Sequence, residues 1–151
     1  MRIIIFPFAK KMRNNQPHPK NYPYWSEVID KLSKLGHTFI QVGTDGEEQL
    51  VDDFRKNLSI KELSSLILEC DTWIGVDSFG QHVAWDVGKK GIVLFSQSDP
   101  NIFGHPENIN LLKDRKYLRE KQFWLWEQTE YIKEAFVDAN TVVNAIKELN
   151  V

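Results

Sequence analysis

At 151 residues the chain has the common size of one domain, and folding at this length buries about two thirds of the surface that the unfolded chain exposes. Its 42% hydrophobic and 26% charged residues are those of an ordinary globular protein, and no apolar run approaches the length needed to cross a bilayer, which excludes membrane insertion. The net charge of -2 supplies no general attraction to nucleic acid or anionic lipid, and with Cys70 as the one cysteine no internal disulfide can form. Met1 to Pro7 holds too short an apolar stretch for a signal peptide, so a cytoplasmic location is the expectation.

Ile3 to Phe6 is a continuous apolar run closed by Pro7, the pattern of a strand buried on both faces of a parallel sheet. Ala9 to Asn21 follows, polar, basic and rich in Asn and Pro, and a connection of that length inside a compact domain is often functional. Trp25, Val28, Ile29, Leu32 and Leu35 fall at helical spacing with Gly36 as the stop, and Thr38 to Val42 has the β-branched and aromatic content of a strand. Gly43 to Gly46 reads as a turn and Glu47 to Lys56 as a helix. Ser59 with Glu62 proposes a capping box opening the helix that carries Leu63, Leu66 and Ile67.

Thr72 to Val76 reads as a buried strand, Val83, Ala84 and Val87 as one face of a helix ending near Gly88, and Gly91 to Phe95 as a further strand. Ser96 to Pro106 is loop-like, and the chain stays irregular until Val142, Val143, Ile146 and Leu149 mark a last helix over 140–149. Strands alternating with helices predict an α/β fold: a Rossmann-like parallel sheet with helices on both faces, forming a single unit over 1–151.

In such a sheet, ligands bind at the carboxyl ends of strands, where a helix N-terminus offers free N–H groups to an anion. Asp77, Ser78 and His82 crowd one such exit. Two readings stand for each: Ser78 with Gln81 is either a ligand contact or a capping box, Asp77 a ligand contact or a turn anchor, and His82 a ligand contact or an imidazole bonded to a carbonyl. Lys10, Lys11, Arg13 and Lys20 crowd the loop leaving the first strand, either as a phosphate cradle or as solvated surface.

These segments resemble the C-terminal, nucleotide-sugar-binding half of glycosyltransferase family 9, the heptosyltransferase-like enzymes of GT-B architecture. The resemblance runs through roughly the first 106 residues: the strand Ile3 to Pro7, then Lys20-Asn21-Tyr22-Pro23, then Phe39 to Gly43 with Glu47, then Leu58 to Leu63. Its most specific part is Asp77-Ser78-Phe79-Gly80-Gln81-His82-Val83-Ala84, and Val93 to Phe95, Ser98-Asp99-Pro100 and His105-Pro106 complete it. Phe79 departs from the family's glycine, with Gly80 one place later. The resemblance implies that Lys20 and Glu47 contact the donor, that Asp77 bonds sugar or ribose hydroxyls, and that Ser78, Gly80 and His82 lie near the diphosphate. It implies a single GT-B half-domain, since the half that carries acceptor site and general base has no counterpart in the sequence.

Metal use is not expected, because no two of His18, His37, His82 and His105 have zinc-site spacing and no Asp-x-Asp triplet occurs; no cofactor is expected either. Walker and Gly-x-Gly-x-x-Gly motifs are absent. Lys113 to Trp126 mixes basic and aromatic residues as single-strand binders do, but acidic residues interrupt it and the aromatics are as easily core, so nucleic acid is the lesser reading; an exposed part of Phe123 to Trp126 could instead mark a subunit interface. The expected function is binding of a nucleoside-diphosphate sugar as donor half of a metal-independent glycosyltransferase, completed by an acceptor-domain partner or a second copy. The alternatives are a non-catalytic nucleotide-sensing module and a protein-interaction domain. Lys10, Lys20, Glu47, Asp77, Ser78, Gly80 and His82 are the candidate donor-site residues; no catalytic residue can be named.

Overall fold

Successive side chains on a strand point to opposite faces, so the run Ile3-Ile4-Ile5-Phe6 needs apolar cover on both sides. It has it. The computed structural model describes residues 1–149, in which β1 (Arg2–Phe6), β2 (Thr38–Gly43), β3 (Phe54–Lys56), β4 (Thr72–Val76), β5 (Ile92–Leu94) and β6 (Ile109–Leu111) form one all-parallel sheet. Their order is β3-β2-β1-β4-β5-β6, the doubly wound arrangement of Rossmann-like α/β folds.

Helices α1 (Trp25–Lys34), α2 (Ile60–Glu69), α3 (Phe79–Asp86), α4 (Pro100–Phe103) and α5 (Ala139–Glu148) complete the chain. Ile3, Ile5, Ile74 and Ile92 share one cluster with Val28 and Leu32 of α1 and Val142 and Ile146 of α5. Ile4, Phe6, Trp73 and Val93 share the other with Leu63 and Ile67 of α2 and Val83 and Ala84 of α3. Both faces of the sheet are therefore dry, and each fully buried isoleucine contributes about 2 kcal/mol. Phe6 sits where two glycines leave room. A Cβ on Gly80 would lie 2.6 Å from the Phe6 ring and one on Gly75 3.0 Å from the Phe6 Cβ, so α3 lies close against β1 only because Gly80 has no side chain.

Local signals fix the better-read elements. Gly36 ends α1 with φ of +92°, and Ser59 and Glu62 form the expected capping box reciprocally at 3.1 and 3.0 Å. The helix expected over 47–56 does not form. Buried Gln41 takes its place as organiser: its amide donates to the Glu48 carbonyl at 2.8 Å and accepts from the Leu50 N–H at 2.7 Å. With the backbone of 48–50 thus committed, the chain runs on into β3, and the carbonyl of Asp53, just ahead of that strand, accepts the Gln41 N–H. Two further elements, α4 inside the expected loop and β6 inside the irregular stretch, were likewise not expected.

Candidate functional site

From β1 the chain goes to β2 on one side, and from β4 to β5 on the other, so the carboxyl ends of β1 and β4 flank the switch point of the sheet. Asp77 leaves β4 there, 5% exposed, and Gln81, one helical turn later, is fully buried. Their spacing of four brings them together: Gln81 Nε2 donates to Asp77 Oδ1 at 2.7 Å. The long loop after β1 returns Lys20 to the same point, with its Nζ 3.2 Å from Asp77 Oδ2. That contact has ion-pair distance without hydrogen-bond geometry, which leaves Oδ2 with no hydrogen-bond partner.

The capping box expected of Ser78 and Gln81 does not form, because Asp77 takes the Gln81 amide. Ser78 is the N-cap of α3 by position but makes no side-chain cap, so the first N–H groups of the helix, at the switch point, take no bond from it. Gly80 lies buried beneath them against Phe6.

His82 points outward and bonds no carbonyl. Its Nδ1 lies 2.8 Å from His105 Nε2, and His105 in turn stacks on Trp85 with centroids 4.7 Å apart and planes at 10°. One of the two imidazoles must donate and the other accept, so at least one is neutral. Partial burial is the main force pushing the His82 pKa down, helped by His105 and Lys20 and opposed by Asp77.

One strand over, a cleft of about 340 Å³ opens between the loop after β1 and the turn after β2. Ala9, Lys11, Gln16, His18, Asn21 and Glu47 are among the residues that line it. Glu47 is held by Thr44, whose hydroxyl donates to Oε1 at 3.2 Å, and desolvation raises its pKa despite that bond. A Cβ at Gly43 would overlap the Glu47 carboxylate, so the glycine admits the side chain. The structure thus brings Lys20, Asp77, Ser78 and Gly80 together at the switch point, with His82, on the same helix, turned outward toward His105 and Glu47 in the neighbouring cleft. Lys10 is exposed and does not join them; Lys11 is the loop lysine that reaches the cleft.

Residues 115–137 form a strap of three short 3-10 turns that crosses back over this edge. The Arg119 guanidinium stacks 3.5 Å from the centroid of Trp126, whose ring also lies beside His18 and the Lys20 ammonium. Burial, with Lys20 and Arg119 nearby, pushes the His18 pKa down to about 4, so this imidazole is neutral at pH 7. The contacts of Trp126 with His18 and Lys20, like the Trp85–His105 stack, are not marked by local spacing. Gln81 was singled out as a capping partner of Ser78, and the structure gives it to Asp77 instead.

A model of glycosyltransferase family 9 (heptosyltransferase) matches residues 3–123. The chain belongs to glycosyltransferase family 9. Among solved structures it is similar to the glycosyl transferase family 9 protein from Veillonella parvula DSM 2008, with TM-score 0.71 and 18% identity over 97% of this chain and 45% of that one. The iron-containing dodecameric glycosyltransferase TibC from enterotoxigenic E. coli H10407 gives TM-score 0.70 and 18% identity, over 97% of this chain and 45% of that one. E. coli ADP-heptose lps heptosyltransferase II gives 0.70 and 13%, with the same coverage of both chains. The family 9 chain described here therefore spans a little under half the length of these proteins. No curated protein sequence matches it significantly. Among the described residues no group of three or more His, Cys, Asp or Glu is placed to hold a metal ion, and no helix is long and apolar enough to cross a membrane.

Proposed function

We propose that this domain binds a nucleoside-diphosphate sugar at the β1–β4 switch point and serves as the donor half of a glycosyltransferase. The observation that carries the reading is the meeting of Lys20, Asp77 and the uncapped start of α3 at one crevice. The lysine and the helix N–H groups suit a diphosphate, whose charge grows as the sugar departs. Asp77, with Oδ1 engaged by Gln81, has no hydrogen bond to Oδ2, which would accept a sugar hydroxyl once Lys20 turns to the diphosphate. The cleft beside Glu47 has room for the nucleoside, and a half-buried carboxylate is a natural acceptor for a ribose diol. A complex of TibC with ADP-D-beta-D-heptose, TM-score 0.67, is among the similar structures and accords with this ligand class. Transfer further needs an acceptor and a base for its hydroxyl, supplied by a partner chain or a second copy of this one.

A thermal-shift panel of ADP, UDP, GDP, CDP and their sugars tests the reading. At least one compound, at a hundred times its Kd, stabilises the wild type by about 2.7 kcal/mol, a rise of several degrees in Tm. Asp77→Ala and His82→Ala lose that rise while keeping the unliganded Tm within a few degrees. A panel without a hit overturns the proposal.

A further inference from the structure

The strap over 115–137 is the one basic and aromatic segment that the donor site as built above does not use. Its central contact is Trp126, three residues past the last position that the family model matches. The indole is fixed from its own side of the molecule. Arg119 stacks on it at 3.5 Å, and Arg119 is anchored by Nη1 donating to Thr129 Oγ1 and Nη2 donating to the carbonyls of Gln122 and Trp124, each at 2.9 Å. Toward the sheet, the indole meets the loop after β1. The His18 ring lies 5.2 Å away, the Lys20 Nζ lies 5.0 Å from the indole centroid, and the Lys20 backbone N–H donates to His18 Nδ1 at 3.1 Å. The loop is tied to the strap a second time, by the Tyr131 hydroxyl donating to the Asn21 carbonyl at 2.7 Å.

A leucine would leave part of this volume empty and would offer no ring face to either cation. What the indole adds is a π face for an ammonium, which attracts a cation within about 6 Å of the ring centroid. Lys20 has a flexible stem and one carboxylate partner, Asp77; alone, that pair leaves the ammonium several rotamers. A second attractive surface confines it. His18 stays neutral at pH 7, so the crevice gains no third positive charge to push Lys20 away.

We infer that Trp126 is a positioning residue for Lys20: the strap closes over the sheet edge, and its indole holds the ammonium against Asp77 in the place where a donor diphosphate docks. The inference rests on the donor-site reading for its consequence and on geometry alone for its existence. Binding is strengthened because the rotamer loss of the lysine is met in the free protein rather than on association. Nucleoside recognition in the Glu47 cleft does not depend on it.

Two measurements separate the clamp from the donor site. The first needs no ligand: after reductive 13C-methylation, the Lys20 dimethylamino resonance, assigned by its loss in Lys20→Arg, is displaced upfield by the indole ring current. Trp126→Leu abolishes that displacement and Trp126→Phe keeps part of it; a Lys20 resonance unmoved by Trp126→Leu overturns the inference. The second is titration with ADP and with adenosine. Trp126→Leu weakens ADP about tenfold and leaves adenosine unchanged, while Trp126→Phe restores most of the ADP affinity. Equal ADP affinity in wild type and Trp126→Leu overturns the clamp. A wild type that binds no diphosphate, with the ring-current result intact, overturns the donor site and leaves the clamp standing.

Discussion

At the amino ends of β1 and β4, Asp71 accepts the Arg2 N–H at 2.7 Å while donating its own N–H to the Arg2 carbonyl. Nearby, Lys89 Nζ donates to the Cys70 carbonyl, and the Trp73 indole N–H to the Lys89 carbonyl. Past the carboxyl ends of β4 and β5 three buried polar atoms, Asp77 Oδ2, Gln81 Oε1 and Ser98 Oγ, have no hydrogen-bond partner within the chain, whereas at the amino side Asn108 Nδ2, beside Gly91, is unpaired. Buried polar groups are normally paired, so the unpaired atoms gather mainly on the side of the sheet where Lys20 meets Asp77. On the donor-site reading, substitutions at the amino edge and in the core act on stability, while those of Lys20, Asp77 and His82 act on binding.

The sharpest way to break this division is at its amino side. Trp73→Ala removes a fully buried indole and its bond to Lys89, and is expected to cost about 4 kcal/mol of unfolding free energy by urea denaturation. A diphosphate that binds the folded remainder as tightly as the wild type would confirm the separation, and a variant that keeps its stability would contradict it. His18 tests its limit, as a residue at the carboxyl edge whose titration acts on stability. Its pKa is about 4 folded and near 6.5 unfolded, so the stability it contributes is whole above pH 6.5 and is lost as pH falls through about 4. Up to about 3 kcal/mol should vanish between pH 7 and pH 4, and His18→Phe, compared with wild type at each pH, should lack that share of the loss.

Gly80 tests where the two regions meet. Gly80→Ala drives a Cβ into the Phe6 ring and should cost about 2 kcal/mol while shifting α3 enough to weaken diphosphate binding as well. Loss of stability with binding intact would make Gly80 scaffold alone. The smallest effect is at Ser59, far from the crevice: Ser59→Ala opens the capping box of α2 and should lower stability by about 1 kcal/mol with no change in any ligand titration.

How much of this was legible before folding depends on the range of the interactions involved. Ile3 to Phe6, the helix from Trp25, the Ser59–Glu62 box and Asp77 with Ser78 are written in contiguous residues, and their elements form where periodicity and capping put them. The stretch 47–56 fooled the same rules because a buried amide from another strand, Gln41, outbid its local helical preference. β6 was too short, at three residues, to show alternation, and it exists because β5 offers it an edge. In the site, Lys20 and Glu47 were singled out by resemblance rather than by spacing. Trp126 and Arg119 stood out only as part of the basic and aromatic run, because the contact that places Trp126 beside Lys20 spans more than a hundred positions of chain.

The tie between the loop after β1 and the strap carries a consequence for synthesis. The Tyr22 hydroxyl donates to the Val137 carbonyl and Tyr131 to Asn21, so the segment that delivers the lysine is moored to residues translated more than a hundred codons later. A nascent chain released from the ribosome tunnel only as far as β6 already owns every strand, yet its nucleotide crevice still lacks that mooring. On the donor-site reading, ligand capture therefore depends on residues 131–137, and clipping the chain ahead of them should abolish it.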